Sequence, residues 1–135
     1  MNDLDDRGRP TGLWEDRFTD GRLSGTGHVE DGEKTGEWTY WFKNGQLKAH
    51  GEYNHGKLNG PWVWYRAGGG LLQAGSFVHG LQDGLWTRHH ASGEVLDSGM
   101  YTAGKKTGEW VRFNPNGNPL SRTQHRDPGP SPTQD

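Results

Sequence analysis

Gly36-Glu-Trp-Thr-Tyr-Trp-Phe-Lys-Asn-Gly-Gln-Leu-Lys-Ala-His-Gly-Glu-Tyr-Asn-His-Gly-Lys-Leu-Asn59 is a frame of 24 residues that recurs along the chain without insertion. Its opening Gly-x-Trp returns as Gly12 with Trp14, Gly60 with Trp62, Gly84 with Trp86 and Gly108 with Trp110. A fixed period of this length marks a stacked-repeat protein, in which each unit completes its core against its neighbours. Positions in the repeat are numbered below from that first glycine, so Gly36 is column 1 and Trp38 column 3.

Composition taken alone argues against a fold. The 135 residues are 28% hydrophobic and the mean hydropathy is −1.07, near the range of disordered chains. Two features reverse that reading. The apolar content is concentrated in seven Trp, four Tyr and four Phe, whose rings bury far more area than aliphatic side chains. Eighteen of the 23 glycines stand in four fixed columns, as turn punctuation would. The net charge of −2 gives no electrostatic reason to expect nucleic acid. The absence of cysteine excludes disulfides and thiolate metal sites. Neither a signal-peptide pattern nor an apolar run of transmembrane length is found, so a cytoplasmic location is expected.

The columns read as strands and turns. Columns 9 and 10 carry Asp20-Gly21, Asn44-Gly45, Gly68-Gly69, Ser92-Gly93 and Asn116-Gly117, the chemistry of a two-residue hairpin turn. The segments before them, such as Trp62-Val-Trp-Tyr65, are aromatic and β-branched. After them, columns 12, 16 and 18 fall at even spacing, which puts a Leu, a Gly and an aromatic on one face. One repeat is therefore one β-hairpin. The expected fold is all-β: an elongated, single-layer, twisted antiparallel sheet of five consecutive hairpins. Column 16 (Gly27, Gly51, Gly75, Gly99) places glycine inside a strand, where it costs stability. We expect a Trp ring from an adjacent strand to lie across the slot it leaves. Columns 3 and 6 are an odd number apart, so their aromatics share a face only if a bulge lies between them.

Residues 1–11 are acidic and aperiodic and are expected to be a disordered tail. The array then runs over 12–122, with repeats starting at 12, 36, 60, 84 and 108. Asp16 and Arg17 in the first copy, and Pro115 and Pro119 in the strands of the last, read as protection of the sheet edges. The Pro-rich segment 123–135 is expected to be a second disordered tail.

The frame Gly-x-Trp-x-x-(aromatic)-x-x-Asn-Gly-x-Leu-x-x-x-Gly-x-Tyr-x-x-Gly resembles the MORN repeat, in the variant common in bacteria. The likeness covers residues 12 to 122 over five copies, the last incomplete. It implies an elongated sheet of consecutive hairpins and a non-enzymatic role. Many bacterial members resemble antitoxin or immunity proteins that neutralise a toxin by binding it. Eukaryotic members are associated with phospholipids or act as scaffolds. A protein partner, with a toxin as its implied identity, is therefore the leading expectation for a monomeric module. Binding of anionic phospholipid, or scaffolding, is the alternative.

Aromatic and Arg/His residues in the central copies are the candidate contacts, because Trp, Tyr and Arg are enriched at binding hot spots. They are Tyr40, Phe42, Trp64, Tyr65, Arg66, Arg88 and His90. The competing reading is that a thin core needs these rings for packing, which weighs most at Trp41 and Tyr65. His55 and His79 share a column, but nothing nearby completes a metal site, so solvated loops are expected there. Lys34, Lys57, Lys105 and Lys106 in columns 22 and 23 suggest a basic row for lipid headgroups, offset by Glu33, Glu37 and Glu109 beside it. No nucleophile elbow, phosphate loop or metalloprotease motif is present, and neither a metal nor a cofactor is expected.

Overall fold

The computed structural model describes residues 2–126. It contains β1 (Asp3–Leu4), β2 (Pro10–Arg17), β3 (Leu23–Glu30), β4 (Glu33–Trp41), β5 (Leu47–Asn54) and β6 (Lys57–Tyr65). These are followed by β7 (Leu71–Val78), β8 (Leu81–His89), β9 (Val95–Thr102), β10 (Lys105–Phe113) and β11 (Pro119–His125). Each strand pairs antiparallel with the next in one open twisted sheet, and no described residue is helical.

The two kinds of turn are the reverse of the expected assignment. At columns 20 and 21, both residues of His55-Gly56 and His79-Gly80 have positive φ, with 48° and 82° in the first pair. Asn54 pairs directly with Lys57 across that loop. This is the two-residue turn whose twist matches the strands, and it connects one repeat to the next. Columns 9 and 10 instead close a three-residue loop. Gly45 donates its N–H to the Phe42 carbonyl, Phe42 donates to the Gln46 carbonyl, and only Gly45 takes positive φ. His55 and His79 are thus turn residues in the left-handed region, which accounts for their shared column. Pro115 also lies in a turn and not in a strand. The Gly117 N–H bonds to the Asn114 carbonyl, which puts Pro115 second in the turn, where its fixed φ fits.

The core is a single row of indoles on one face. Trp38 pairs with Gly27 on one side and Gly51 on the other. Its ring lies over Gly27, where a Cβ would come within 2.4 Å of it. The same overlap sets Trp62 on Gly51, Trp86 on Gly75 (both 2.1 Å) and Trp110 on Gly99 (2.3 Å). Each Nε1–H donates to the backbone carbonyl after the covered glycine's position, on His28, Glu52, Ser76 and Met100 respectively, at 2.8–3.0 Å. The expected slot therefore exists, and the ring comes from the following repeat. A single-layer sheet can bury large rings this way because the glycine lets them lie flat on the backbone. Trp38 is fully buried, and Trp62, Trp86 and Trp110 are nearly so. Truncating such a side chain to Ala costs about 3–5 kcal/mol. Trp14 has no preceding repeat to cover it, is only half-buried, and donates to the Asp16 carboxylate at 3.2 Å instead.

Residues 2–11 do not form the expected tail. Asp3–Leu4 adds an edge strand to β2, with Asp3 opposite Thr11. The Asp5 carboxylate organises the connecting loop by accepting the N–H groups of Arg7 and Arg9, both at 2.9 Å. Those bonds, the Arg9 backbone first, hold its carboxyl below the usual carboxylate range. The acidic composition that suggested disorder thus includes the residue that shapes the loop. At the other end the array extends through His125, past the expected boundary at 122. The expected Pro-rich tail over 127–135 lies outside the described residues.

Candidate functional site

Alternation along β4, β6, β8 and β10 puts column 5 on the same face as the column 3 indoles. Column 5 carries Tyr40, Trp64, Arg88 and Arg112. Cross-strand register places each beside column 14 of the preceding repeat: Tyr40 on Gly25, Trp64 on Ala49, Arg88 on Gln73 and Arg112 on Asp97. The character of the face changes along the array accordingly.

In the second and third repeats, rings fill it. Tyr40 stacks on Trp38 and, across the repeat boundary, on Trp62. Trp64 bridges Trp62 and Trp86, both at 5.7 Å between ring centroids. The Tyr40 and Tyr53 hydroxyls bond at 2.9 Å, and the Lys34 ammonium donates to Tyr40 while lying over three rings, nearest Trp38 at 4.8 Å. Burial raises the pKa of both phenols, and that of Tyr53 the more strongly.

In the fourth and fifth repeats, charge replaces the rings. Asp97, nearly buried, accepts from Arg88 Nε at 2.9 Å and also from Nη2 of the same guanidinium. The hydrogen bonding that Arg88 donates to Asp97 raises the pKa of the guanidinium. Lys106 sits over the Trp110 ring, 4.6 Å from its centroid. Two adjoining depressions of about 280 and 230 Å³ open here and share Arg88, Asp97, Lys106 and Trp110 as walls.

The candidate contacts from sequence do not form one surface. Tyr40, Trp64 and Arg88 share the indole face. Tyr65 pairs with Leu71 and, one residue on from Trp64, faces the other way. Columns 3 and 6 accordingly lie on opposite faces, because the irregularity at that end inserts its extra residue in the partner strand. Phe42, Arg66 and His90 begin the hairpin loops at the sheet's edge. There Arg66 donates to the His89 carbonyl at 2.8 Å, and His90 contacts the Phe113 carbonyl at 2.7 Å, each in the next repeat. Asn44 and Ser92 bond in the same manner to Ala67 and Pro115. Arg66 and His90 therefore staple adjacent hairpins. The expected basic row is also broken, since Lys34 and Lys106 turn onto the rings.

Sequence reasoning read Lys106 only as part of the basic row, and it missed Asp97 and Arg112. Their signal is a joint change: column 14 is small (Gly25, Ala49) where column 5 of the following copy is a ring, and polar (Gln73, Asp97) where it is Arg. Among the described residues no cluster of three His, Cys, Asp or Glu side chains could hold a metal ion. No helix there is long and apolar enough to cross a membrane.

The family model described as "MORN repeat variant" matches residues 34–55 and 106–127. No curated protein matches the chain. Among solved structures, one similar chain belongs to the "GtfA/B complex bound to UDP and GlcNAc", at 16% identity and a TM-score of 0.33. The match covers 84% of this chain and 23% of that one, and so weak a likeness carries no functional argument. With five hairpins in one register and two stretches matched by the family model, this chain carries repeats of the MORN variant, which suggest a repeat module for binding.

Proposed function

We propose that this protein is a non-catalytic module that holds a protein partner against its indole face, and that the partner is a toxin it neutralises by covering the toxin's active surface. The observation carrying this reading is the unbroken succession of ring contacts from Trp38 through Tyr40, Trp62, Trp64, Trp86 and Tyr101 to Trp110. The rings are held by neighbouring repeats before any partner arrives, so little ordering entropy is lost on association. Trp64 and Arg88 on this face are of the residue types that dominate binding energies. The toxin rests on the resemblance of variant MORN repeats to antitoxin and immunity proteins, and a cytoplasmic monomer goes with it.

The test is growth of cells expressing the adjacent reading frame as the candidate toxin, with wild type or Trp64→Ala supplied in trans. Far-ultraviolet circular dichroism first establishes that both are folded. Rescue by wild type, and loss of rescue and of co-purification with Trp64→Ala, is expected. Equal rescue by both, or by neither, overturns the reading. Phospholipid binding is the competing reading, and salt-sensitive sedimentation with phosphatidylserine vesicles in place of protein capture would favour it.

A further inference from the structure

The charged end of the indole face has more cation than its own carboxylate consumes. Asp97 stands between two arginines, opposite Arg88 on β8 and opposite Arg112 on β10. Its carboxylate is engaged by Arg88. The guanidinium of Arg112 makes no hydrogen bond or ion pair among the described residues, and Lys106 meets only the Trp110 ring. Arg88, Lys106 and Arg112 thus face one carboxylate around the two adjoining depressions. A local excess of two positive charges sits in a chain whose net charge is −2.

We propose that this end is a subsite for a carboxylate side chain, so that the partner presents an acidic segment which runs onto the fifth repeat. The inference deepens the reading of the indole face as a protein-binding surface and rests on it. The incoming carboxylate takes the guanidinium of Arg112 in the planar, two-point geometry that arginine offers, with Lys106 beside it as a point charge. Its methylene stem lies toward Trp110. Two features favour a peptide acid over a phosphate headgroup. The nearly buried Asp97 repels a dianionic phosphomonoester headgroup more strongly than a single carboxylate. An anionic bilayer meets the whole negatively charged molecule, whereas one acidic segment meets only the basic depression. The indoles of Trp86 and Trp110 are nearly buried, so neither offers an open face as a platform for a sugar.

The probe is an acetylated, amidated Glu-rich octapeptide, with its Gln-rich counterpart as control. It is titrated into ¹⁵N-labelled full-length protein while the indole N–H resonances are followed. Shifts confined to Trp86 and Trp110 are expected, lost with the Gln peptide and weakened about tenfold between 50 and 200 mM salt. Lys106→Gln and Arg112→Gln, both at exposed positions, should each weaken the peptide about tenfold, with Arg112→Lys recovering part of that loss. No shift, shifts spread equally to Trp38, or equal binding of the Gln peptide overturns the subsite. So does binding of phosphatidylserine vesicles with the same sensitivity to Arg112→Gln. Partner capture lost with Trp64→Ala but kept by Arg112→Gln would leave the protein-binding reading standing and remove this one.

Discussion

The second and third repeats share their backbone with the fourth and fifth, yet present different chemistry on the same face. Around Trp38 and Trp62, the neighbouring positions hold Tyr40, Trp64 and the small Gly25 and Ala49, and rings close over the sheet. Around Trp86 and Trp110, Arg88, Arg112 and Asp97 stand at the corresponding points, and depressions remain open. The indole-on-glycine unit is thus the part that stacks, and the column beside it is free to vary. Stability and recognition are divided between adjacent columns of one strand.

The most severe way to break the comparison is to cut the ladder where the halves meet. Gly75→Val would drive a Cβ to 2.1 Å from Trp86, a ring that lies flat on that backbone and packs against Trp64 and Tyr101. We expect a loss of about 4 kcal/mol or more and two separated thermal transitions by circular dichroism. Exchange of the two chemistries is next. Tyr40→Arg with Ala49→Asp forfeits two ring stacks and the Tyr53 hydroxyl bond, about 2–3 kcal/mol in urea melts. The converse change, Arg88→Tyr with Asp97→Ala, should stay within about 1 kcal/mol of wild type, since replacing a paired charge by packed groups is often neutral. Parity between the two exchanges would mean that the aromatic half has no special structural weight.

Arg88→Ala alone leaves the Asp97 carboxylate without its partner. The cost should be about 1–2 kcal/mol, discounted because the Arg88 side chain is half exposed and Arg112 is adjacent. Lys34→Met removes an ammonium from above three rings and should cost about 1 kcal/mol in the same assay. The smallest effect concerns pH. With the phenol pKa values of Tyr40 and Tyr53 raised by burial, the folded state keeps protons that the unfolded chain releases. Stability is therefore retained below the ordinary phenol pKa of about 10 and declines as pH rises above it. Urea midpoints measured on either side of that value should show the decline, and Tyr53→Phe should flatten it.

Much of the architecture was legible because a repeat displays its own alignment. Five copies separate the columns that never change from those that do, so the strands, the number of hairpins and the indole-on-glycine contact followed from spacing. The turns were misassigned because Asn-Gly and His-Gly both suit positive φ. Which pair forms the two-residue loop depends on strand register, which composition does not carry. The candidate contacts were dispersed for a related reason. Trp64 and Tyr65 are neighbours in sequence but lie on opposite faces, and Arg66 is drawn to the carbonyl of His89 in the next hairpin. Asp97 and Arg112 escaped notice because they lie on different strands and meet only across the sheet.

By itself, then, the sequence determined the period, the all-β hairpin array and the glycine slots that its indoles fill, since those depend on interactions repeated in every copy. Tertiary structure alone decided which side chains share a face and which become staples between hairpins. It also decided that the excess of positive charge gathers where the fourth and fifth repeats meet. The reason is physical: cross-strand register brings together columns from different copies, and no single 24-residue frame contains both partners of such a contact.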